Sequence, residues 1–260
     1  MVPHTRDGRV MFAVPWNGHV VVGTTDTPIS DVSLEPRPQK QEVDFILQTA
    51  GRYMARSPTR ADILSVFTGI RPLVKAGTDG NTAALSRDHT IQISSSGLLT
   101  IAGGKWTTCR KMAEDAVNQA GKLASLPQQP CMTMNLPVHG SGHPRNKPDP
   151  LANYGSDAEL IEELIREEPA LAALLHESLP ICAAQIVWAA RHEMARTVED
   201  VLARRTRALF LNVRAALAMA PAAARLLAAT LGRDTNWEEQ QLTRFREIAA
   251  GFLPPQADFK

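Results

Sequence analysis

Apolar and polar residues alternate in short runs through the first half of the chain and recur at helical spacing through the second. Residues 9–15 (RVMFAVP) and 19–24 (HVVVGT) predict two strands joined through Trp16-Asn17-Gly18, whose Asn-Gly step is a hairpin signal. Three prolines in residues 28–38 predict a loop. Over residues 40–54, Val43, Ile46, Leu47 and Ala50 share one helical face. Residues 63–67, 89–94 and 98–102 predict further strands. The last of these runs into Gly103-Gly104 and then a helix over residues 107–122. The fold class expected is α+β: a mostly antiparallel sheet closed by a strand-loop-helix unit over residues 1–125.

The texture then changes. Residues 126–150 are proline-rich and predict a linker, and residues 151–260 a helical domain of four to six helices. Ser156-Asp157-Ala158-Glu159 reads as a capping box before Leu160 and Ile161, and the runs beginning at Thr197 and Thr235 repeat that logic. Eleven alanines in residues 201–230 favour close helix packing, and Pro221 is expected to start or kink a helix.

Composition narrows the classes. The chain has 260 residues, 44% of them hydrophobic and 21% charged, which supports a packed core. Lys and Arg number 28 against 27 Asp and Glu, so a surface for nucleic acid is not implied and only a local basic pocket remains. Cys109, Cys131 and Cys182 lie far apart with no CxxC pair, which argues against a disulfide framework or a cysteine zinc site. No apolar run is expected to reach the roughly 18–20 residues that span a membrane, and no signal-peptide core opens the chain. A cytoplasmic location, with peripheral contact to the inner face of the cytoplasmic membrane, is the expectation.

Four segments carry candidate chemistry. In residues 99–115 an apolar strand meets two glycines and a helix start, where unpaired N–H groups and the positive dipole end favour an anionic or electron-rich group, with Lys105 adding charge. An ordinary glycine hinge is the competing reading. Arg71, between Gly69 and Pro72, suits bidentate binding of phosphate or carboxylate, against a plain surface arginine in a turn. In residues 85–91, Arg87 and Asp88 can pair with each other, and His89 is a general base or a structural histidine. Gly23-Thr24-Thr25-Asp26-Thr27 either holds a ligand or sets a turn. No HExxH and no GxSxG occurs, and Arg204-Arg205-Thr206-Arg207 reads as a solvated or ion-paired helix face.

Together, VMFAVPWNGHVVVGTTDT, DILSVFTGIRPL, ALSRDHTI, LTIAGGKWTTCRKMAEDAV and RHEMARTVEDVLARRTRALF resemble, in order and over nearly the whole chain, the FAD-dependent glycerol-3-phosphate dehydrogenases of the aerobic, respiratory type. The resemblance implies an FAD and substrate domain followed by a helical C-terminal domain. It implies oxidation of sn-glycerol 3-phosphate to dihydroxyacetone phosphate, with electrons passing through FAD to quinone. It makes Arg71 and Lys105 the catalytic candidates, gives the substrate phosphate to Arg71 with Arg87, places Thr25 near the substrate, and lays Gly103, Gly104, Lys105, Trp106 and Thr107 against the flavin. Cys109 stands where the family often has an aromatic residue. The family's GxGxxG unit is absent from this sequence. The resemblance therefore implies a C-terminal part of the enzyme, impaired when isolated. A non-catalytic folding, dimerisation or interaction module is the alternative, and a homodimer is admitted as a partner.

Overall fold

The computed structural model describes residue 5 and residues 10–71, 89–141 and 149–255. The chain divides into two compact units, one built from Met1–Gly69 with His143–Lys260 and the other from Ile70–Gly142. The division follows contact rather than chain order, whereas the sequence reading set its boundaries at residues 125 and 150. An α+β region followed by a helical region is the architecture found, and the strands form three separate antiparallel pairs among the described residues.

In the first unit, β1 (Phe12–Trp16) pairs with β2 (His19–Gly23) through the Asn17-Gly18 turn. Both turn residues have positive φ (47° and 76°), as a two-residue hairpin turn with this twist demands. The hairpin leans on α1 (Lys40–Gly51): Met11 and Ala50 are buried there, with Val22 and Ile46 against them.

Residues 63–67 do not form a strand. Their backbone groups are taken up by the helical region instead of by a sheet partner. The Val66 N–H donates to the Phe252 carbonyl at 2.8 Å, and the Leu64 carbonyl accepts from the Val213 N–H at 3.3 Å. Phe67 meets Phe210 edge-on, with ring centroids 5.1 Å apart, and Phe210 meets Phe252 likewise at 5.2 Å.

The helical region comprises α3 (Asp157–Glu167), α4 (Ala183–His192), α5 (Ala208–Leu211), α6 (Val213–Leu231) and α7 (Thr235–Ala249), with a π-helical turn at Asp200–Arg205. A hairpin that the sequence reading missed, β5 (Leu174–His176) with β6 (Leu179–Cys182), sits inside it. It escapes the period-2 test because it is very short and carries a register irregularity.

Helix α6 is the centre. Ala216, Met219, Ala220, Ala223, Ala224 and Leu227 form a buried stripe at three- and four-residue spacing, and the small side chains let α4 and α7 approach closely. Pro221 is accommodated within this helix rather than starting one. By length and composition α6 is long and apolar enough to cross a membrane, contrary to the expectation from sequence. Its buried stripe belongs to the hydrophobic core of this unit.

Capping departs from the sequence reading at two of three places. At Thr197 the box is real: the Thr197 N–H donates to Asp200 Oδ2 and the Asp200 N–H to Thr197 Oγ1, both at 3.0 Å. Ser156 has helical φ and ψ and makes no cap hydrogen bond. Helix α7 is capped by Asp234, which accepts from the Trp237 N–H at 2.9 Å, so the cap lies one residue before the Thr235 expected.

Candidate functional site

Four elements of the second unit build the candidate site. Strands β3 (His89–Ile93) and β4 (Leu99–Gly103) pair with His89 opposite Gly103. A single 3-10 turn, Trp106–Thr108, then leads into α2 (Cys109–Leu123). The chain reverses at Gly103 and Gly104, whose φ values are 79° and 74°. At Gly104 the space is closed as well: a Cβ there would run into Met112 Sδ and come 3.3 Å from His89 Cβ. Positive φ and crowding together explain a glycine at this position.

The helix start is organised by Thr108. The Lys105 N–H donates to Thr108 Oγ1 at 3.1 Å, and the Thr108 hydroxyl donates back to the Lys105 carbonyl at 2.9 Å. The N–H groups of Trp106 and Thr107 precede the hydrogen bonds of this turn, so they are the donors that a helix start leaves for an external acceptor. Lys105, Trp106 and Thr107 are all exposed, and Trp106 is 89% so, large for an indole with no external role.

Beneath the turn lies a charged network. His89 Nε2 is 3.1 Å from Asp115 Oδ2, and Lys111 Nζ is 2.7 Å from Asp115 Oδ1. The hydrogen bond from Lys111 holds the Asp115 carboxyl below the usual carboxylate range, with His89 adding to it against the effect of burial. Arg110 pairs with Glu114 at 2.7 Å and reaches Cys131 Sγ at 3.8 Å. The Cys131 thiol is itself drawn down by hydrogen bonds with Thr133.

The structure thus gathers Gly103, Gly104, Lys105, Trp106 and Thr107 into one turn. Arg71 belongs to the same unit and is exposed on an irregular segment. Arg87 lies outside the described residues. Thr25 belongs to the other unit, where its hydroxyl donates to Glu42 Oε1 at 3.0 Å, and Thr27 donates to the same oxygen at 2.6 Å. Sequence reasoning missed Asp115 and Glu42. Asp115 is 26 residues from its partner, and no local pattern signals that pairing.

Two family models match the chain. One, described as an FAD dependent oxidoreductase, covers residues 1–110, and the other, described as the C-terminal domain of alpha-glycerophosphate oxidase, covers residues 99–241. They overlap on the strand and glycine turn just described. This chain belongs to the family of the alpha-glycerophosphate oxidase C-terminal domain, whose model covers more than half of it. It is 35% identical over 280 residues to a mitochondrial glycerol-3-phosphate dehydrogenase of Rattus norvegicus, covering 99% of this chain and 38% of that protein. A mitochondrial glycerol-3-phosphate dehydrogenase of Arabidopsis thaliana is also 35% identical, with 97% and 45% covered. Among solved structures, the glycerol-3-phosphate dehydrogenase from Bacillus halodurans complexed with FAD is 26% identical with a TM-score of 0.75, covering 98% of this chain and 53% of that one. The chain therefore spans about two fifths of the curated rat relative and about half of the solved one.

The residues present fit one edge of a flavin dehydrogenase site. An exposed turn with two free N–H groups, a neighbouring ammonium and the positive end of a 15-residue helix suits the electron-rich N1–C2=O edge of an isoalloxazine. No GxGxxG occurs in the sequence, so the fit concerns this edge and not a dinucleotide cradle.

Proposed function

We propose that this chain supplies the flavin-edge and phosphate-binding residues of a dehydrogenase that oxidises sn-glycerol 3-phosphate to dihydroxyacetone phosphate and passes the electrons to quinone. The observation that carries this reading is the Gly103–Thr107 turn at the head of α2, on which both family models overlap. FAD, when bound, supplies the two-electron acceptor for the hydride leaving the substrate C2. The chain's own part is electrostatic: the N–H groups of Trp106 and Thr107 and the Lys105 ammonium stabilise negative charge at the ring edge. Arg71 grips the substrate phosphate through paired N–H donors, with Arg87 as a second cation. Thr25 contributes a hydroxyl held in place by Glu42. Electron delivery to quinone makes the protein peripheral at a membrane surface, and a homodimer is compatible with this arrangement.

A second reading, a non-catalytic folding or interaction module, draws on the complete core around α6. Purified chain incubated with FAD and glycerol 3-phosphate separates the two. Flavin absorbance retained on the protein with substrate-dependent dye reduction supports the dehydrogenase reading. Colourless protein without dye reduction refutes it for the chain alone.

A further inference from the structure

We infer that His89 and Asp115 form a positioning pair that fixes the Gly103–Thr107 turn, and through it the donors offered to the flavin edge. The inference rests on the flavin-edge reading above and extends it to two residues that touch neither cofactor nor substrate in that reading.

Geometry supplies the case. His89 opens β3 and lies opposite Gly103, the residue at which β4 ends. Its imidazole is 13% exposed and bonds Asp115, which stands seven residues into α2. The strand end and the helix are thereby joined on the inner side of the turn, and the stretch from Gly104 to Thr108 bridges the two joined elements. Gly104 rests against the same histidine, since a Cβ on it would come 3.3 Å from His89 Cβ. Asp115 divides its two oxygens, Oδ2 to His89 and Oδ1 to Lys111. Lys111 is half-exposed on the helix surface, and its bond contributes little to the placement of the turn. A turn with two consecutive glycines has no side chains of its own at those positions to hold its path. The constraint has to come from its flanks, and among the described residues the His89–Asp115 bond is a partly buried polar tie between them. The histidine thus serves as an anchor rather than as a general base.

The test uses the intact chain. Amide exchange and NMR shifts are followed at Gly104–Thr107, with Ile91 and Ile101 in the β3–β4 ladder as an internal reference, and FAD is titrated in. In Asp115→Ala, exchange at the turn should rise about tenfold, the scale of one lost charge-assisted hydrogen bond, with the ladder little changed and the concentration of FAD needed for half the shift raised comparably. Lys111→Ala should change both by less than about threefold. His89→Gln, which keeps a polar side chain at the strand start, serves as the independent variant and should reproduce the effect of Asp115→Ala. Unchanged turn exchange in the Asp115 and His89 variants overturns the proposal, and so does acceleration of the ladder to the same degree, which marks a merely structural bond. Absence of any FAD-induced shift at Gly104–Thr107 in the unsubstituted chain overturns the flavin-edge reading and the pair's role toward it. An FAD response that persists unaltered in the variants overturns the pair alone.

Discussion

Ser65 and Val213 are joined across most of the chain: the Val213 N–H donates to the Ser65 hydroxyl at 2.7 Å, and that hydroxyl donates to the Leu209 carbonyl at 2.9 Å. One side chain thus serves the first N–H of α6 and a carbonyl of α5. Ser65→Ala removes both bonds in a partly buried place and should destabilise the protein by about 1–3 kcal/mol. A urea midpoint unchanged from the unsubstituted chain would contradict this.

Two glycines that both face crowded space should respond differently to alanine. Gly104→Ala forces a Cβ into positive φ and onto Met112, at a cost of about 1–2 kcal/mol. Gly251 has ordinary φ, and the atom in the way is Arg37 Nη1, the far end of a flexible chain that can swing aside. Gly251→Ala should therefore cost less than about 0.5 kcal/mol. Thermal unfolding of the two variants gives the comparison, and equal losses would mean that backbone conformation is not the deciding factor.

Helix caps give a second contrast. Asp234→Ala removes the acceptor for the Trp237 N–H and should cost about 1 kcal/mol. Ser156→Ala should lie within about 0.5 kcal/mol of zero, because Ser156 makes no cap hydrogen bond. Denaturant titration of both variants checks the assignment, and a larger loss at Ser156 reverses it.

Tyr154 makes stability fall at high pH. Burial pushes its phenol up to about 12, partly opposed by the hydrogen bond with Gln185. The unfolded phenol ionises near 10. The folded state therefore holds its proton more tightly, and the contribution is fully present below pH about 10 and is lost as pH rises toward 12, by about 2 kcal/mol. Tyr154→Phe should remove this part of the pH dependence. A variant whose stability curve between pH 10 and 12 parallels that of the unsubstituted chain rules it out.

For the substrate, Arg71→Ala should raise the concentration of glycerol 3-phosphate needed for half-saturation about ten- to a hundredfold, the effect of losing a charged donor to phosphate. Binding measured by calorimetry, with inorganic phosphate as competitor, decides it. Affinity equal to that of the unsubstituted chain removes Arg71 from the phosphate site.

What sequence makes legible here is local. The Asn17-Gly18 turn, the α1 face through Val43 and Ile46, and the passage from β4 through two glycines into α2 all follow from short-range rules, and the structure has each of them. The failures share a different cause. Residues 63–67 have the apolar content of a strand, but the partners that use their N–H and carbonyl groups lie some 150 to 190 residues away. Ser156 and Thr235 match a cap pattern, yet backbone angles set by packing put one helix start elsewhere and leave the other without a cap bond. At the candidate site the glycine turn was readable, whereas Asp115 was not, because its meaning depends on a strand that only the fold brings beside α2.

The seam between residues 60–67 and the C-terminal helices has a consequence for biogenesis. Arg60 donates to the Pro255 carbonyl, Val66 to Phe252, and Ser65 waits for Leu209 and Val213. A nascent chain carries this segment without these partners until residues 209–255 have been made. Completion of the first unit then waits for the helices over residues 208–252, and a product that stops before them exposes an apolar stretch around Phe67 to chaperones and proteases.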